Sequence, residues 1–461
     1  MEFSAQVLMI DICLISALIL VGKGLRLKLK VLQNYFIPSS LIAGFLGLIL
    51  GSQMLNVVPL SSSASGYAGY LFPILFATFF LGRKESVAFR KVLNKVGDSV
   101  AINGACYLLM FGIAALLSVT LIPKLFPEVS SYFGLMMSSG FAGGHGTAAA
   151  IGGYFETAGG WADAITVGQT FASIGLIGGA LIGVTLINIA IRKGYTRTIT
   201  DIHASAKSSD KDGLVPEFER ESMGDNTMSS MSLDPLTWHF VLILVSVGCA
   251  YGVEALVTAY EVPISLPVFG LALIFSIVLQ KILELVKLDG YVDRRIIVRI
   301  GSCVTDFLVA FAIATLNIGV VLQVLVPILL MCVIGFAMNM CFVFVISKTF
   351  FHNFWFERGI FIFGWSTGVM ATGITLLRII DPTFDTNVLE DSGMAWTLLS
   401  FMELAVITLL PIAMVQGVGI YASIGMIVLG IILLGLTGKY YGIHRESGSV
   451  MRAGEAEQLA K

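Results

Sequence analysis

The segment Ser-Ser-Gly-Phe-Ala-Gly-Gly-His-Gly-Thr, residues 138–147, decides how the rest of the chain is interpreted. It lies inside the apolar stretch 132–160, yet it carries too many glycines and polar side chains for a helix that faces lipid. Backbone that is not helical survives at membrane depth only where protein or a water-filled cavity surrounds it. We therefore predict that residues 132–160 form a re-entrant hairpin rather than a full crossing.

The rest of the chain is strongly apolar. Of its 461 residues, 56% are hydrophobic and only 13% are charged, against about 25% charged residues in soluble domains. Apolar stretches of about 20 residues, the length that a helix needs to cross a bilayer, recur between polar breaks. This composition excludes a water-soluble globule and predicts an all-α polytopic membrane protein. The predicted spans are residues 5–22, 37–55, 69–82, 98–122, 164–191, 236–258, 264–286, 300–318, 324–346, 395–416 and 421–438.

The second half of the chain repeats the plan of the first. Residues 357–380 are again interrupted by glycines and hydroxyl side chains, and they again stand between the fourth and fifth full spans of their half. The polar, Ser-rich residues 195–235 separate the halves and predict a flexible linker. The predicted organisation is a first repeat at 1–194 with a hairpin at 132–160, the linker at 195–235, a second repeat at 236–418 with a hairpin at 357–380, and an extra helix with a tail at 419–461.

The distribution of basic residues predicts the topology. With the N-terminus outside and both interrupted segments re-entrant, every one of the 28 Lys and Arg residues except Lys124 lies in a cytoplasmic loop, as the positive-inside rule expects. Glu2 precedes the first span and basic residues follow it, which predicts an uncleaved first helix. Five crossings in each half give the halves opposite orientations. We expect a multi-pass protein of the inner (plasma) membrane, with a cytoplasmic linker and C-terminus.

Inverted halves with paired broken elements indicate a secondary transporter whose site lies near the middle of the membrane. The free backbone amides of a hairpin tip suit a carboxylate, and exposed carbonyl oxygens suit sodium. The six cysteines lie in apolar segments without metal-ligand spacing, and the net charge of -2 does not indicate a nucleic-acid partner. The sequence therefore predicts a carrier of small anions rather than an enzyme, with sodium as the coupling ion and no other cofactor.

The first tip supplies most of the candidate substrate-binding residues. Its glycines could instead serve close helix packing. The imidazole of His145 could contact the ligand directly or hold the hairpin backbone in shape. The candidates are Ser138, Ser139, Gly140, Gly143, Gly144, His145, Gly146 and Thr147.

The second tip supplies hydroxyl groups and one arginine. Arg378 could bind a carboxylate through a bidentate pair, or extend to the cytoplasmic surface as a snorkelling side chain. The candidates are Ser366, Thr367, Thr372, Thr375 and Arg378.

Side-chain oxygens near the first tip and one acid inside a span are candidate sodium ligands. These residues are Gln169, Thr170, Ser173 and Asp306. The other two acids inside spans, Asp11 and Glu403, are at least as well explained as structural carboxyl groups that accept hydrogen bonds.

The run Ser139-Gly-Phe-Ala-Gly-Gly-His-Gly-Thr147, followed by three alanines, resembles the re-entrant motif of bacterial sodium/glutamate symporters. Gly364-Trp-Ser-Thr-Gly368 is similar, though more loosely, to the Gly-rich second motif of that family, and the likeness covers about residues 1–418. The resemblance implies sodium-coupled uptake of L-glutamate or a related acidic amino acid. It also implies two inverted five-helix repeats with one re-entrant loop each, a homodimer, and an elevator-like movement.

Three other functions are compatible with parts of this pattern. The substrate could be another organic anion, such as a dicarboxylate or a 2-hydroxycarboxylate. Paired hairpins can also line a channel. The pentapeptide from Gly364 to Gly368 matches a hydrolase nucleophile elbow, with His145 as a base, but that motif requires a strand-turn-helix setting and a third orienting residue.

Overall fold

The computed structural model describes residues 4–34, 37–52, 54–82, 89–196, 222–225, 227, 233–260, 268–381 and 386–443. Within these residues all regular secondary structure is helical. Most of the predicted linker and the tail beyond residue 443 lie outside the described residues.

The long helices are α1 (Ala5–Lys28), α2 (Ser39–Leu50), α3 (Ala64–Ala77), α4 (Phe89–Thr120), α5 (Phe133–Thr157), α6 (Ala164–Lys193), α7 (Pro235–Ala259), α8 (Val268–Leu285), α9 (Arg294–Ala314), α10 (Leu325–Phe350, with a π-helical part at Phe342–Ser347), α11 (Trp355–Ile380), α12 (Val388–Val415) and α13 (Gly419–Tyr440). Short helices occur at Lys30–Asn34, Ile122–Leu125, Asp289–Tyr291 and Ile318–Gln323.

Nine helices in the described part of the chain are long and apolar enough to cross a membrane. This confirms the prediction of an all-α polytopic membrane protein. Helices α2 and α3, which correspond to the predicted spans 37–55 and 69–82, have only 12 and 14 residues. At 1.5 Å per residue, α2 is about 18 Å long, less than the ~30 Å of a hydrocarbon core. The predicted span 37–55 was therefore too long, whereas the predicted span 69–82 has the observed length but begins five residues after α3 does.

Local capping interactions explain where several helices begin and end. The hydroxyl of Ser4 accepts a hydrogen bond from the backbone N–H of Val7 at the start of α1. The carboxylate of Asp234 does the same for Leu236 at the start of α7, where Pro235 occupies the first helical position. Gly194 closes α6 in the left-handed conformation that glycine adopts most readily.

The helices pack into two groups, and each group takes helices from both halves of the chain. The peripheral bundle consists of α1–α3 and α7–α9, and its apolar core runs from α1 through α3 to α9. The central bundle consists of α4–α6 and α10–α13, and it contains most of the largest buried cluster. Helices α3 and α9 of the peripheral bundle contact α5 of the central bundle.

A buried acid anchors the first helix within the peripheral bundle. Asp11, which is 1% exposed, accepts hydrogen bonds from the N–H and hydroxyl of Ser61 at 3.0 and 2.5 Å and from the hydroxyl of Tyr67 at 3.0 Å. These donors satisfy the carboxyl group within the fold, so its environment is that of a structural residue.

A buried arginine joins three helices of the central bundle. Arg358 of α11 is 7% exposed, and it donates to the hydroxyl of Ser99 in α4 at 2.6 Å and to the carboxylate of Asp391 in α12 at 2.7 Å. A carboxylate oxygen of Asp98 lies 3.7 Å away. The sequence analysis did not identify this network, because its members are far apart along the chain.

We predict that Arg358→Ala destabilises the protein strongly, because removing one member of a buried ion pair leaves an uncompensated charge and costs about 3–5 kcal/mol. The measurement is the thermal midpoint of the purified protein in detergent. Lys281→Ala, which removes the exposed pair with Glu284, is the matched control and should change the midpoint little. Equal midpoints for the two variants would show that the Arg358 network contributes no special stability.

Candidate functional site

Helix α5 is interrupted at Gly144, whose backbone angles are φ 65° and ψ -167°. This region of conformational space is accessible essentially only to glycine. The ring of Tyr132, just before the helix, stacks on that of Phe155 near its end, with 4.4 Å between the centroids. A straight helix of 25 residues would separate these positions by more than 30 Å. The two arms of α5 therefore lie against each other.

Helix α11 is interrupted in the same way at Gly368 and Val369, and Val369 has φ 66° and ψ 172°. The arms approach so closely that a Cβ on Gly364 would lie 2.6 Å from the Cα of Gly373. A β-branched residue in this backbone conformation stores about 1–3 kcal/mol of strain. Such strain persists only where the surrounding packing enforces it.

The two interruptions touch each other in the centre of the molecule. A Cβ on Gly144 would lie 2.5 Å from Cγ1 of Val369. Thr367, which directly precedes the interruption at Gly368 and Val369, packs against α6. A Cβ on Gly175 of α6 would lie 2.5 Å from the carbonyl oxygen of Thr367. Glycines at 144 and 175 are thus required for the close approach of the two broken helices and α6.

Some candidate residues of the first interruption pack within or against helices, and others line a cavity. The hydroxyls of Ser138 and Ser139 are buried and donate to the carbonyl of Leu135 at 3.0 and 2.7 Å, which satisfies them within their own helix. Gly140 packs against the backbone of α6, and Gly146 faces Phe72 and Leu75 of α3. Gly143 and Thr147 line a cavity between the helices.

The candidate residues of the second interruption lie mostly outside that cavity. The hydroxyl of Thr367 donates to the carbonyl of Phe363 at 2.7 Å, and that of Thr372 donates to the carbonyl of Gly368. Ser366 is buried, Thr375 is partly buried, and Arg378 is exposed in the last turn of α11. None of these five lines the cavity, whereas their neighbours Trp365, Val369 and Met370 do.

The central cavity has a volume of about 190 Å³ and is bounded by both interruptions. Its wall is largely aromatic, and α12 contributes its most polar side. The lining residues are Phe76, Phe79, Phe80, Tyr107, Ala142, Gly143, Thr147, Leu273, Trp365, Val369, Met370, Trp396, Ser400, Glu403, Leu404 and Ile407.

Glu403 is the only carboxylate that the described part of the chain contributes to the lining of the central cavity. Its Oε2 accepts a hydrogen bond from the indole N–H of Trp396 at 3.3 Å. Its Oε1 is buried and accepts no hydrogen bond from the described residues. The sequence signal was an acid inside a span, but only the fold places this acid beside the two interruptions.

A second cavity of about 480 Å³ lies between the two bundles. The peripheral bundle lines it with residues around Ser61 and Asn317, and the central bundle with Glu156, Asp163 and Gln169. Glu156 accepts a hydrogen bond from the N–H of Ile165 at 3.1 Å and so caps the start of α6.

Gln169, His145 and Ser173 connect this outer cavity to the first interruption. Gln169 Nε2 donates to the carbonyl of His145 at 2.9 Å, and its buried Oε1 has no hydrogen-bond donor among the described residues. Ser173 Oγ donates to the carbonyl of Gln169 at 2.9 Å and lies within hydrogen-bond distance of His145 Nε2, at 3.0 Å. His145 therefore ties the interruption to α6 and does not line the central cavity.

The other two candidate sodium ligands are placed differently. Thr170 donates to the carbonyl of Thr166 at 2.8 Å, beside Gln169 on α6. Asp306 is exposed near the middle of α9 and lines neither of the two cavities. The structure thus brings Gln169, Thr170 and Ser173 together and leaves Asp306 apart.

We predict that Gly144→Ala reduces transport at least tenfold, because an added methyl group meets Val369 and forces a strained backbone, at about 1–3 kcal/mol for the strain alone. The measurement is the initial uptake of labelled solute into proteoliposomes, normalised to the amount of protein inserted in the bilayer. Gly153→Ala in the same helix is the control, since its Cβ would meet only Ile165 Cδ1 at 3.9 Å. Full activity of Gly144→Ala would contradict the prediction.

The family model described as sodium/glutamate symporter matches residues 5–355, about three quarters of the chain. The match covers α1–α10 and the start of α11. It ends before the second interruption and before Glu403. No curated protein matches the chain at a significant level.

Proposed function

The chain belongs to the sodium/glutamate symporter family, and from that premise we propose that it carries L-glutamate or a related acidic amino acid into the cell together with sodium. The family is one of membrane transporters and not of enzymes. The observation that carries the proposal is that two interrupted helices meet at one cavity in the centre of the molecule.

We propose that α5 and α11 are re-entrant hairpins that enter the membrane from opposite faces. The stacking of Tyr132 on Phe155 and the contact of Gly364 with Gly373 support a reversal of the chain in each. The amide groups released at the tips become donors for a carboxylate, with Gly143 and Thr147 nearest to it. The remaining candidate residues of both tips act by holding the interruptions in place.

The proposed inverted repeats, residues 1–194 and 236–418, explain the composition of the two bundles. The first three long helices of each repeat form the peripheral bundle, and the later helices of each repeat, with the extra α13, form the central bundle. The outer cavity lies between the bundles. An elevator-like movement of the central bundle against the peripheral bundle would carry the central cavity from one side of the membrane to the other.

We place the sodium site at Gln169, Thr170 and Ser173. The Oε1 atom of Gln169 supports this, because it is buried without a hydrogen-bond donor and is the kind of hard oxygen ligand that sodium prefers. Sodium bound there would offset the charge of the anion. Each surplus positive charge that moves inward gains about 2.3 kcal/mol per 100 mV of membrane potential.

We propose that the homodimer forms on the exposed face of α9 that carries Asp306. Asp306 lies near the middle of a membrane span, where contact with lipid would be costly. Ser302 is exposed on the same face one helical turn away. A second copy covering this face of α9 would remove the charge from lipid. In the proposed topology the N-terminus lies outside and the C-terminus in the cytoplasm.

We predict that proteoliposomes accumulate labelled L-glutamate only under an inward sodium gradient, and that Gln169→Leu raises the sodium concentration for half-maximal uptake at least tenfold. The leucine keeps the volume of the side chain but removes the oxygen that we assign to sodium. The measurement is initial uptake against sodium concentration.

Thr185→Val on the exposed face of the same helix is the control and should leave the sodium dependence unchanged. Uptake that needs no sodium would contradict the proposed coupling. An unchanged sodium dependence in Gln169→Leu would contradict only the proposed sodium site.

A further inference from the structure

Glu403 carries a buried oxygen that accepts no hydrogen bond from the residues that the structure describes. Glu403 lies within the apolar span Leu398–Val415, where a carboxylate is costly unless a partner neutralises it. Its Oε2 has one donor, the indole of Trp396, and its buried Oε1 has none among the described residues. Asp11, the comparable acid of α1, accepts three hydrogen bonds. Glu403 therefore faces the central cavity with capacity to bind a further donor.

The cavity around Glu403 is built to favour a small organic cation. Among the described residues no Lys or Arg belongs to its lining, so none of them neutralises the carboxylate from within the cavity. Six aromatic rings line the same space, and the faces of such rings attract ammonium groups. Trp365 stacks nearly parallel on Tyr107, with 6.1 Å between the centroids. An ammonium group supplies three donors and one positive charge, which is what Glu403 lacks.

Other lining residues of the cavity have the complementary chemistry. They include Gly143 and Thr147 of the first interruption and Val369 of the second, and interrupted helices offer backbone amides to a carboxylate. An amino acid carries both a carboxylate and an ammonium group, so it matches both sets of lining residues. A carboxylic acid without an amino group would leave Glu403 unpaired and place a second negative charge near it.

We propose that Glu403, supported by Trp396 and the aromatic wall, binds the ammonium group of the substrate and makes the carrier selective for amino acids over other carboxylates. This inference rests on the proposed function and narrows its substrate class. It concerns α12, which lies beyond the part of the chain matched by the family model, so it stands on the geometry of this chain.

The test compares three ligands of nearly the same size: L-glutamate, L-2-hydroxyglutarate and glutarate. Binding to purified protein in sodium is followed by the fluorescence of the tryptophans, since Trp365 and Trp396 line the cavity, and by competition for uptake. We expect the native chain to prefer glutamate at least 100-fold, because a site built for an amino group rejects analogues that lack it.

In Glu403→Gln we expect glutamate binding to weaken at least 30-fold while glutarate binding is unchanged or stronger, so that the preference falls below about tenfold. The sodium dependence should stay as in the native chain. Glu254→Gln, which alters an exposed acid on α7, is the control for loss of a carboxylate in a span. Should Glu403→Gln fail to fold, Trp396→Phe keeps an aromatic ring, removes the indole donor, and should reduce the preference, measured by competition for uptake, by a smaller factor.

Three outcomes would overturn the inference. Equal weakening of all three ligands would make Glu403 a structural residue. A shifted sodium dependence with the preference intact would make it a cation-coupling residue. A native preference for glutarate or the hydroxy acid would exclude an ammonium subsite while leaving sodium-coupled anion transport in place. Failure of the native chain to take up any of the three with sodium would instead contradict the proposed function itself.

Discussion

This structure depends on one constraint: every backbone amide in the bilayer needs a hydrogen-bond partner. An orphan amide in hydrocarbon costs several kcal/mol, so a helix can be interrupted only where other helices enclose the gap. Both interruptions lie in the central bundle, against each other and against α6. The glycines at 144, 175, 364 and 373 let the backbones approach closely enough to exclude lipid. The central cavity follows from this arrangement, because the enclosed tips leave a small space between them.

Helix positions could be predicted from the sequence to within a few residues where apolar runs have clear polar limits. Residues 164–191 and 236–258 correspond to helices Ala164–Lys193 and Pro235–Ala259. The prediction was poorer for α2, because apolar residues continue past the helix end at Gly51 into irregular backbone. It was also poorer for α3, which begins at Ala64, five residues before the predicted span. Hydrophobicity reports burial and not backbone conformation, so it cannot distinguish a buried helix from buried irregular backbone.

The roles of polar side chains were harder to predict, because they depend on contacts between distant parts of the chain. Ser138 and Ser139 stood out as hydroxyls at a tip, but their partner is the carbonyl of their own helix. In the sequence Arg358 counted only among the basic residues assigned to cytoplasmic loops. Its buried role was missed because its partner Ser99 is 259 positions away. Asp11 and Glu403 looked equivalent in sequence, and only their hydrogen-bond partners distinguish them.

The two polar regions of the central bundle are built from different parts of the chain. Gln169, His145 and Ser173 come from α5 and α6, whereas the carboxylate beside the central cavity comes from α12. Substitutions in α12 can therefore reshape one wall without disturbing the other cluster. Under the proposed assignment of these regions, cargo preference and ion dependence could diverge independently, over evolutionary time, in descendants of a single ancestral carrier.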